Sequence, residues 1–278
     1  MPQVNIQEKS AKNVLTKSGL PGVDYVINPY VGCLHGCQYC YADFMRKYTK
    51  HTEPWGKFSD IKINAPQALA KELHKIKGGT VMLSSVTDPY NPLERKYTLT
   101  RKILKVLLEE QIPISILTKS DLVIRDIDIL QQFDNCQVGF SFLGTSTKDS
   151  KNFEPFTSPP IRRLRALEQL KANNISTYAF IGPIFPYITD LAELFENLAK
   201  AKVDFIYCEN FNNRGQAKIN VDKIIKEKYP HLQKAYQEIF KSQNTYWDDT
   251  AKYIKELAEK YQIPSKLLFH KYGRKTQI

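Results

Sequence analysis

The chain has 278 residues, 42% hydrophobic and 25% charged, the make-up of a globular protein with room for one large α/β domain or two small ones. No apolar run reaches the length of a membrane span, and the polar first nineteen residues lack the apolar stretch of a secretion signal, so a cytoplasmic protein is expected. Forty Lys and Arg against 29 Asp and Glu give a net charge of +11, which attracts polyanions such as nucleic acid, and the densest basic stretch is His270, Lys271, Arg274 and Lys275.

Residues 25–28 read as a short strand that leads into a cysteine-rich loop. Leu69, Leu73 and Ile76 share a helix face, and 80–84 is strand-like. Leu99, Ile103, Val106 and Leu107 mark the next helix, followed by a β-rich run at 112–117. Val123, Ile127 and Leu130 form a short helix face, with Ser120 or Asp121 as N-cap. A strand at 138–142 precedes a helix carrying Ile161, Leu164, Leu167 and Leu170. Residues 177–181 are strand-like, Leu191, Leu194, Phe195 and Leu198 face one side of a helix, and 204–207 closes the series.

Six strands, each pair separated by a helix, imply parallel pairing with right-handed crossovers. Wound in one direction, these units make a full or three-quarter barrel with its reactive groups at the C-terminal strand ends. A doubly wound open sheet satisfies the same periodicity. Beyond Asn220 the pattern turns helical, with helices at 222–241 and 248–261 and a final strand or docking tail at 267–270. The expected division is a core over 1–220 and a helical C-terminal extension over 221–278 packed on it.

The chemistry concentrates in Cys33, Cys37 and Cys40, spaced C-x-x-x-C-x-x-C. Three thiolates so placed suit a [4Fe–4S] cluster with one iron lacking a protein ligand. Zinc with His35 as fourth ligand is the alternative, although zinc sites more often pair two C-x-x-C units. Five cysteines in a chain of this length do not make a disulfide framework, and Cys136 and Cys208 stand alone in apolar runs as small hydrophobes do.

With Tyr39 just before the third cysteine, the loop resembles the C-x-x-x-C-x-aromatic-C motif of the radical S-adenosylmethionine (radical SAM) superfamily. The run from Asn28-Pro29-Tyr30 through Gly32-Cys33 and His35-Gly36-Cys37, together with Ser84 to Pro92, resembles its spore photoproduct lyase-like branch. The resemblance implies a partial (β/α)6 barrel of TIM type, a [4Fe–4S] cluster on Cys33, Cys37 and Cys40, and SAM on its open iron. It also implies a reducing electron donor of flavodoxin or ferredoxin type. By the same resemblance Lys119, Ser141 and Ser85 contact SAM, and a carboxylate is well served by an ammonium and a hydroxyl.

Ser85, Thr87 and Asp88 follow the second strand and could hydrogen-bond the SAM ammonium or ribose; an Asp-Pro turn is the plainer reading. Glu154 with Arg162 or Arg163 could brace a loop, although an ordinary helix-face ion pair is the first expectation. Asn210, Asn212, Asn213 and Arg214 follow the sixth strand as substrate-side candidates. One feature departs from the branch: spore photoproduct lyases carry a hydrogen-donating Cys after the second strand, where this chain has Ser84, Ser85, Val86 and Thr87. Cys208 is the substitute donor the sequence offers. The expected function is hydrogen abstraction from a substrate, nucleic acid first. Modification of a peptide or small molecule, or non-catalytic nucleic-acid binding by a metal-stabilised protein, are the alternatives.

Overall fold

The computed structural model describes residues 4–240 and 244–270. Among them are eleven strands: β1 (Asn5–Lys9), β2 (Leu15–Lys17), β3 (Tyr25–Ile27), β4 (Tyr30–Val31), β5 (Phe58–Lys62), β6 (Val81–Leu83), β7 (Ile114–Thr118), β8 (Cys136–Phe142), β9 (Ser176–Ile184), β10 (Phe205–Asn210) and β11 (Ser265–Leu267). Eight form one sheet in the order β11-β10-β9-β8-β7-β6-β3-β2, parallel except for the edge pair β2–β3.

The six expected strands are β3 and β6 to β10, and each lies beside its successor in this series. A doubly wound sheet would reverse direction at a switch point. This one never does, so the units wind one way into a barrel. Its edges, β2 and β11, do not pair with each other, which leaves the barrel incomplete. A second sheet, β1-β5-β4, went unread in the sequence because its strands are short and β5 buries Ser59 and Asp60 among its apolar residues.

Side chains alternate across each strand. Val81, Ile114, Val138, Ala179 and Ile206 face the helices and pack with Leu104, Leu167, Leu194 and Leu198 in one buried cluster. The intervening positions point into the barrel. There Gly139 lets the Tyr178 ring cross the strand, since a Cβ would sit 2.3 Å from it, and the Tyr178 hydroxyl donates to Ile116 O at 3.0 Å. Tyr178 stacks on Phe205, so aromatic rings fill the interior below the C-terminal strand ends.

Ser120, one of the two expected N-caps, does accept a bond from Leu122 N. The helix expected over 222–241 is instead two pieces, Gly215–Lys228 and Gln233–Ile239, separated at Pro230, which has no N–H to continue a helix. Helix Tyr246–Tyr261 packs on helix Leu191–Lys200, and β11 then pairs in parallel with β10. The sheet therefore continues past residue 220 by one more helix–strand unit. Lys271, Arg274 and Lys275 lie outside the described residues. No described helix is long and apolar enough to cross a membrane.

Candidate active site

The cysteine loop leaves β4 at Gly32, whose φ of +82° and a virtual Cβ 2.5 Å from Phe58 O admit no side chain. Neighbouring segments then hold the loop in place. Thr87 Oγ1 donates to Gly32 O at 2.7 Å, Gln38 N to Phe153 O at 2.8 Å, and Asn220 Nδ2 to Gln38 O at 3.0 Å. Cys33 and Cys37 are buried and Cys40 is half-buried. All three line one cavity of about 140 Å³ with Ser84, Ser85, Thr87, Asp88, Lys119 and Ser141, at the C-terminal ends of β6, β7 and β8. The structure thus gathers eight of the ten residues singled out from the sequence.

Within that cavity the residues differ in how far they are already engaged. Asp88 is fully committed: Oδ1 accepts from Tyr90 N (2.8 Å) and Thr118 Oγ1 (2.7 Å), and Oδ2 from Lys119 N (2.8 Å). Burial opposes its charge, but His35, Thr118 and the Lys119 amide outweigh that and hold the carboxyl down at about 2. His35 Nδ1 lies 3.3 Å from Oδ2, at ion-pair distance but without hydrogen-bond alignment. Asp88 therefore reads as a strut joining the cysteine loop to the end of β7, rather than a free carboxylate. Thr87 is tied to Gly32, as above. Asn28 Oδ1 accepts from Ser85 N (3.0 Å) and Val86 N (3.2 Å), which explains the Asn of the Asn-Pro-Tyr motif.

Other groups stand unengaged. Lys119 Nζ has no carboxylate or hydrogen-bond partner among the described residues; it sits 5.8 Å from the centroid of the Tyr39 ring. Burial disfavours its charge, but Cys37 and Glu154 more than offset this and hold the ammonium above its ordinary value. Ser141 reaches the cavity with its hydroxyl while its carbonyl is taken by Arg163. Ser84 has a φ of 68° and a buried hydroxyl without a partner among the described residues. A strained backbone carrying an orphaned polar group on a cavity wall is a common mark of a functional position.

Two expected residues lie elsewhere. Tyr39 does not line the cavity: its hydroxyl donates to Glu154 and its edge meets Phe185 at 5.6 Å, so it supports Lys119 from behind. Cys208 corrects the expectation of a donor at the barrel mouth. By strand alternation it shares the helix-facing side with Ile206, and it is wholly buried in the apolar core, where burial pushes the thiol up to about 12. Asn210, on the same side, exchanges hydrogen bonds with the His270 backbone. Asn212, Asn213 and Arg214 do not line the cavity either.

The residue pair that sequence reading undervalued is Glu154–Arg163. Instead of a helix-face ion pair, it is a fully buried bridge at 2.5 Å. Arg163 also donates to Ser141 O (2.8 Å) and Ser158 O (2.7 Å), and Glu154 takes the Tyr39 hydroxyl. One guanidinium thereby ties the cysteine loop to β8. The clue was in the spacing, because Arg163 falls on the same face as Leu167 and Leu170 and had to be buried.

The donor set fits an iron–sulfur cluster. Three thiols meet at one cavity, and Cys136 and Cys208, both core residues, supply no fourth. Burial raises Cys37 well above the ordinary thiol range and Cys40 to about 12, so metal loading must release protons. No three Cys, His, Asp or Glu groups among the described residues converge at the spacing of one ion, which suits thiols on separate irons better than mononuclear zinc.

Comparison with known proteins agrees. The model of the radical SAM superfamily matches residues 27–200. An uncharacterized protein of Methanocaldococcus jannaschii is 40% identical over 210 residues, covering 76% of this chain and 79% of that one. A Pseudomonas phage M6 protein named radical SAM Nalpha-GlyT isomerase is 24% identical over 252 residues, 88% of this chain and 50% of its own. Among solved structures, spore photoproduct lyase complexed with dinucleoside spore photoproduct superposes with a TM-score of 0.68 at 16% identity, covering 95% of this chain and 82% of that one. The chain belongs to the radical SAM superfamily, and with it come a [4Fe–4S] cluster and SAM as cofactors.

Proposed function

We propose that this radical SAM enzyme acts on a base or sugar of a nucleic acid, with Cys33, Cys37 and Cys40 holding the cluster. Once bound, the cluster supplies one electron that cleaves SAM to methionine and a 5′-deoxyadenosyl radical, which abstracts hydrogen from substrate. Lys119 is suited to the SAM carboxylate, since its ammonium has no competing partner and rests on the Tyr39 ring. Ser141 and Ser84 contribute hydroxyls not used by the protein, and Ser85 lines the same wall. Asp88 and Thr87 keep those groups in register with the loop.

The observation that carries the substrate class is the 3₁₀ helix Tyr41–Tyr48, which begins at the third cysteine. Tyr41, Phe44 and Tyr48 are 60%, 40% and 76% exposed, in sequential ring contact, beside Arg46, Lys47 and Lys50. Tyr41 also lines the cavity, so the strip runs from solvent to the cysteines. Exposed rings flanked by cations form a stacking platform for bases and a track for phosphates. The likeness to a photoproduct lyase and the name of the phage relative support the same reading.

This cavity has no thiol besides the three in the loop, and Ser84 and Ser85 offer only O–H bonds, too strong to yield hydrogen to a carbon radical. The reaction we propose therefore proceeds without a protein thiol donor. Anaerobic incubation with SAM and dithionite, with and without single-stranded DNA or RNA, is expected to form 5′-deoxyadenosine. Binding of the strand should weaken with salt by a log–log slope of about 0.9 per phosphate or less. Tyr48→Ala and Phe44→Ala should each weaken it by about 1–3 kcal/mol. Salt-independent binding untouched by either substitution would discard nucleic acid as substrate.

A further inference from the structure

A cluster held in this loop must be reduced from outside, and one face of the molecule lies directly over the loop backbone. Between Cys33 and Cys37 the chain packs its Gly36 against Gly56, where a Cβ would come within 2.6 Å of the Gly36 Cα. The neighbouring cover is the Phe156 ring, 3.5 Å from a virtual Gly36 Cβ. Phe156 is 56% exposed, and its amide donates to His35 O at 3.3 Å. At this point a single side chain stands between solvent and the loop.

Cations surround that ring. Lys57 Nζ lies 5.6 Å from its centroid, and Arg95 and Arg162 line a cleft of about 180 Å³ with Phe156 and His35. Among the described residues neither Lys57 nor Arg95 has a carboxylate partner, whereas Arg162 shares Asp121. This cleft and the cysteine cavity have His35 in common and no other lining residue. A molecule docked on this face would leave the aromatic strip and the cavity open to substrate.

We infer that Phe156, Lys57, Arg95 and Arg162 form the docking face for a small acidic one-electron carrier protein of the flavodoxin type. The inference rests on the reading that the cysteine loop holds a redox cluster. The carrier loses one electron and the cluster gains it; no bond is made or broken and no proton moves. Electron tunnelling falls off exponentially with distance, which favours a site one side chain away from the ligand loop. Positive charge around an exposed aromatic supplies both halves of such a contact: steering by the rim and an apolar anchor at its centre.

The test uses a flavodoxin as probe and the full chain with its cluster reconstituted. Its Kd is read from anisotropy of labelled flavodoxin at low and moderate salt, without turnover, and SAM cleavage is followed with either reduced flavodoxin or dithionite. Lys57→Glu combined with Arg95→Glu should raise Kd at least about tenfold and slow flavodoxin-driven cleavage, with iron content and dithionite-driven cleavage unchanged. Phe156→Ala, which keeps the charge, should slow the flavodoxin-driven rate alone. The same charge reversals at Lys105 and Lys255, on outer helices, should do neither. Flavodoxin affinity unchanged in the Lys57/Arg95 variant, or lowered equally by the Lys105/Lys255 control, would overturn the inference. So would a variant that loses nucleic-acid binding but keeps its flavodoxin affinity, since the face would then belong to the substrate. Dithionite-driven cleavage by the parent protein tests the underlying cluster reading separately.

Discussion

Replacing Glu154 by Gln would leave the Arg163 guanidinium buried without a counter-charge. Both side chains are fully buried and bridge at 2.5 Å. Removing one member of such a pair typically costs about 3–5 kcal/mol, because the remaining charge stays out of water. Arg163 would keep its bonds to Ser141 O, Ser158 O and Thr157 Oγ1, so the lower end, about 3 kcal/mol, is expected. That is a large part of the 5–15 kcal/mol by which domains are usually stable. Urea unfolding of the cluster-free protein should show a lower midpoint at an unchanged slope. Arg163→Met and the double substitution complete a cycle, with a coupling energy above about 1 kcal/mol expected. The Tyr39 hydroxyl would also lose its charged acceptor, which loosens the support beneath Lys119 and should weaken SAM binding in the loaded enzyme. A loss below about 1 kcal/mol with no coupling would show that the pair is not the tie between the cysteine loop and β8 described above.

Lys119→Ala should weaken SAM binding by roughly 1.5–3 kcal/mol, the range for a hydrogen bond to a charged group, and Ser141→Ala by less; iron content should hold in both. Unchanged affinity in the Lys119 variant, by equilibrium dialysis, would remove it from the SAM site. Alanine at Cys33, Cys37 or Cys40 should abolish the cluster's visible absorbance after anaerobic reconstitution, whereas Cys136→Ala and Cys208→Ala should retain it together with SAM cleavage. Asp88 has a folded pKa lowered from 3.8 to about 2, so its contribution is full above pH 3.8 and is lost as pH falls through 2. That difference amounts to about 2 kcal/mol. Urea midpoints of the cluster-free protein between pH 5 and 2 should therefore fall more steeply than those of Asp88→Asn, and parallel curves would contradict the strut.

The sequence by itself determined the six core strands, the helices between them and the cysteine loop. These follow from local periodicity and from thiol spacing, which act over a few residues. It also brought Lys119, Ser141 and the turn after β6 to one end of the barrel, because parallel strands put their C-terminal ends on one side. Only the tertiary structure decided between barrel and open sheet, since that rests on strand order, which periodicity does not encode. It decided the faces too. Cys208 turns to the helices and Ser141 to the cavity, because a one-residue change of register reverses every side chain. Asp88 and Thr87 became struts, and Glu154 and Arg163 a buried tie, through partners 9 to 55 residues away in the chain. Burial and hydrogen-bond partners at such separations are properties of the folded chain, so residue type alone could not distinguish the groups free to meet a ligand from those already spent on the fold.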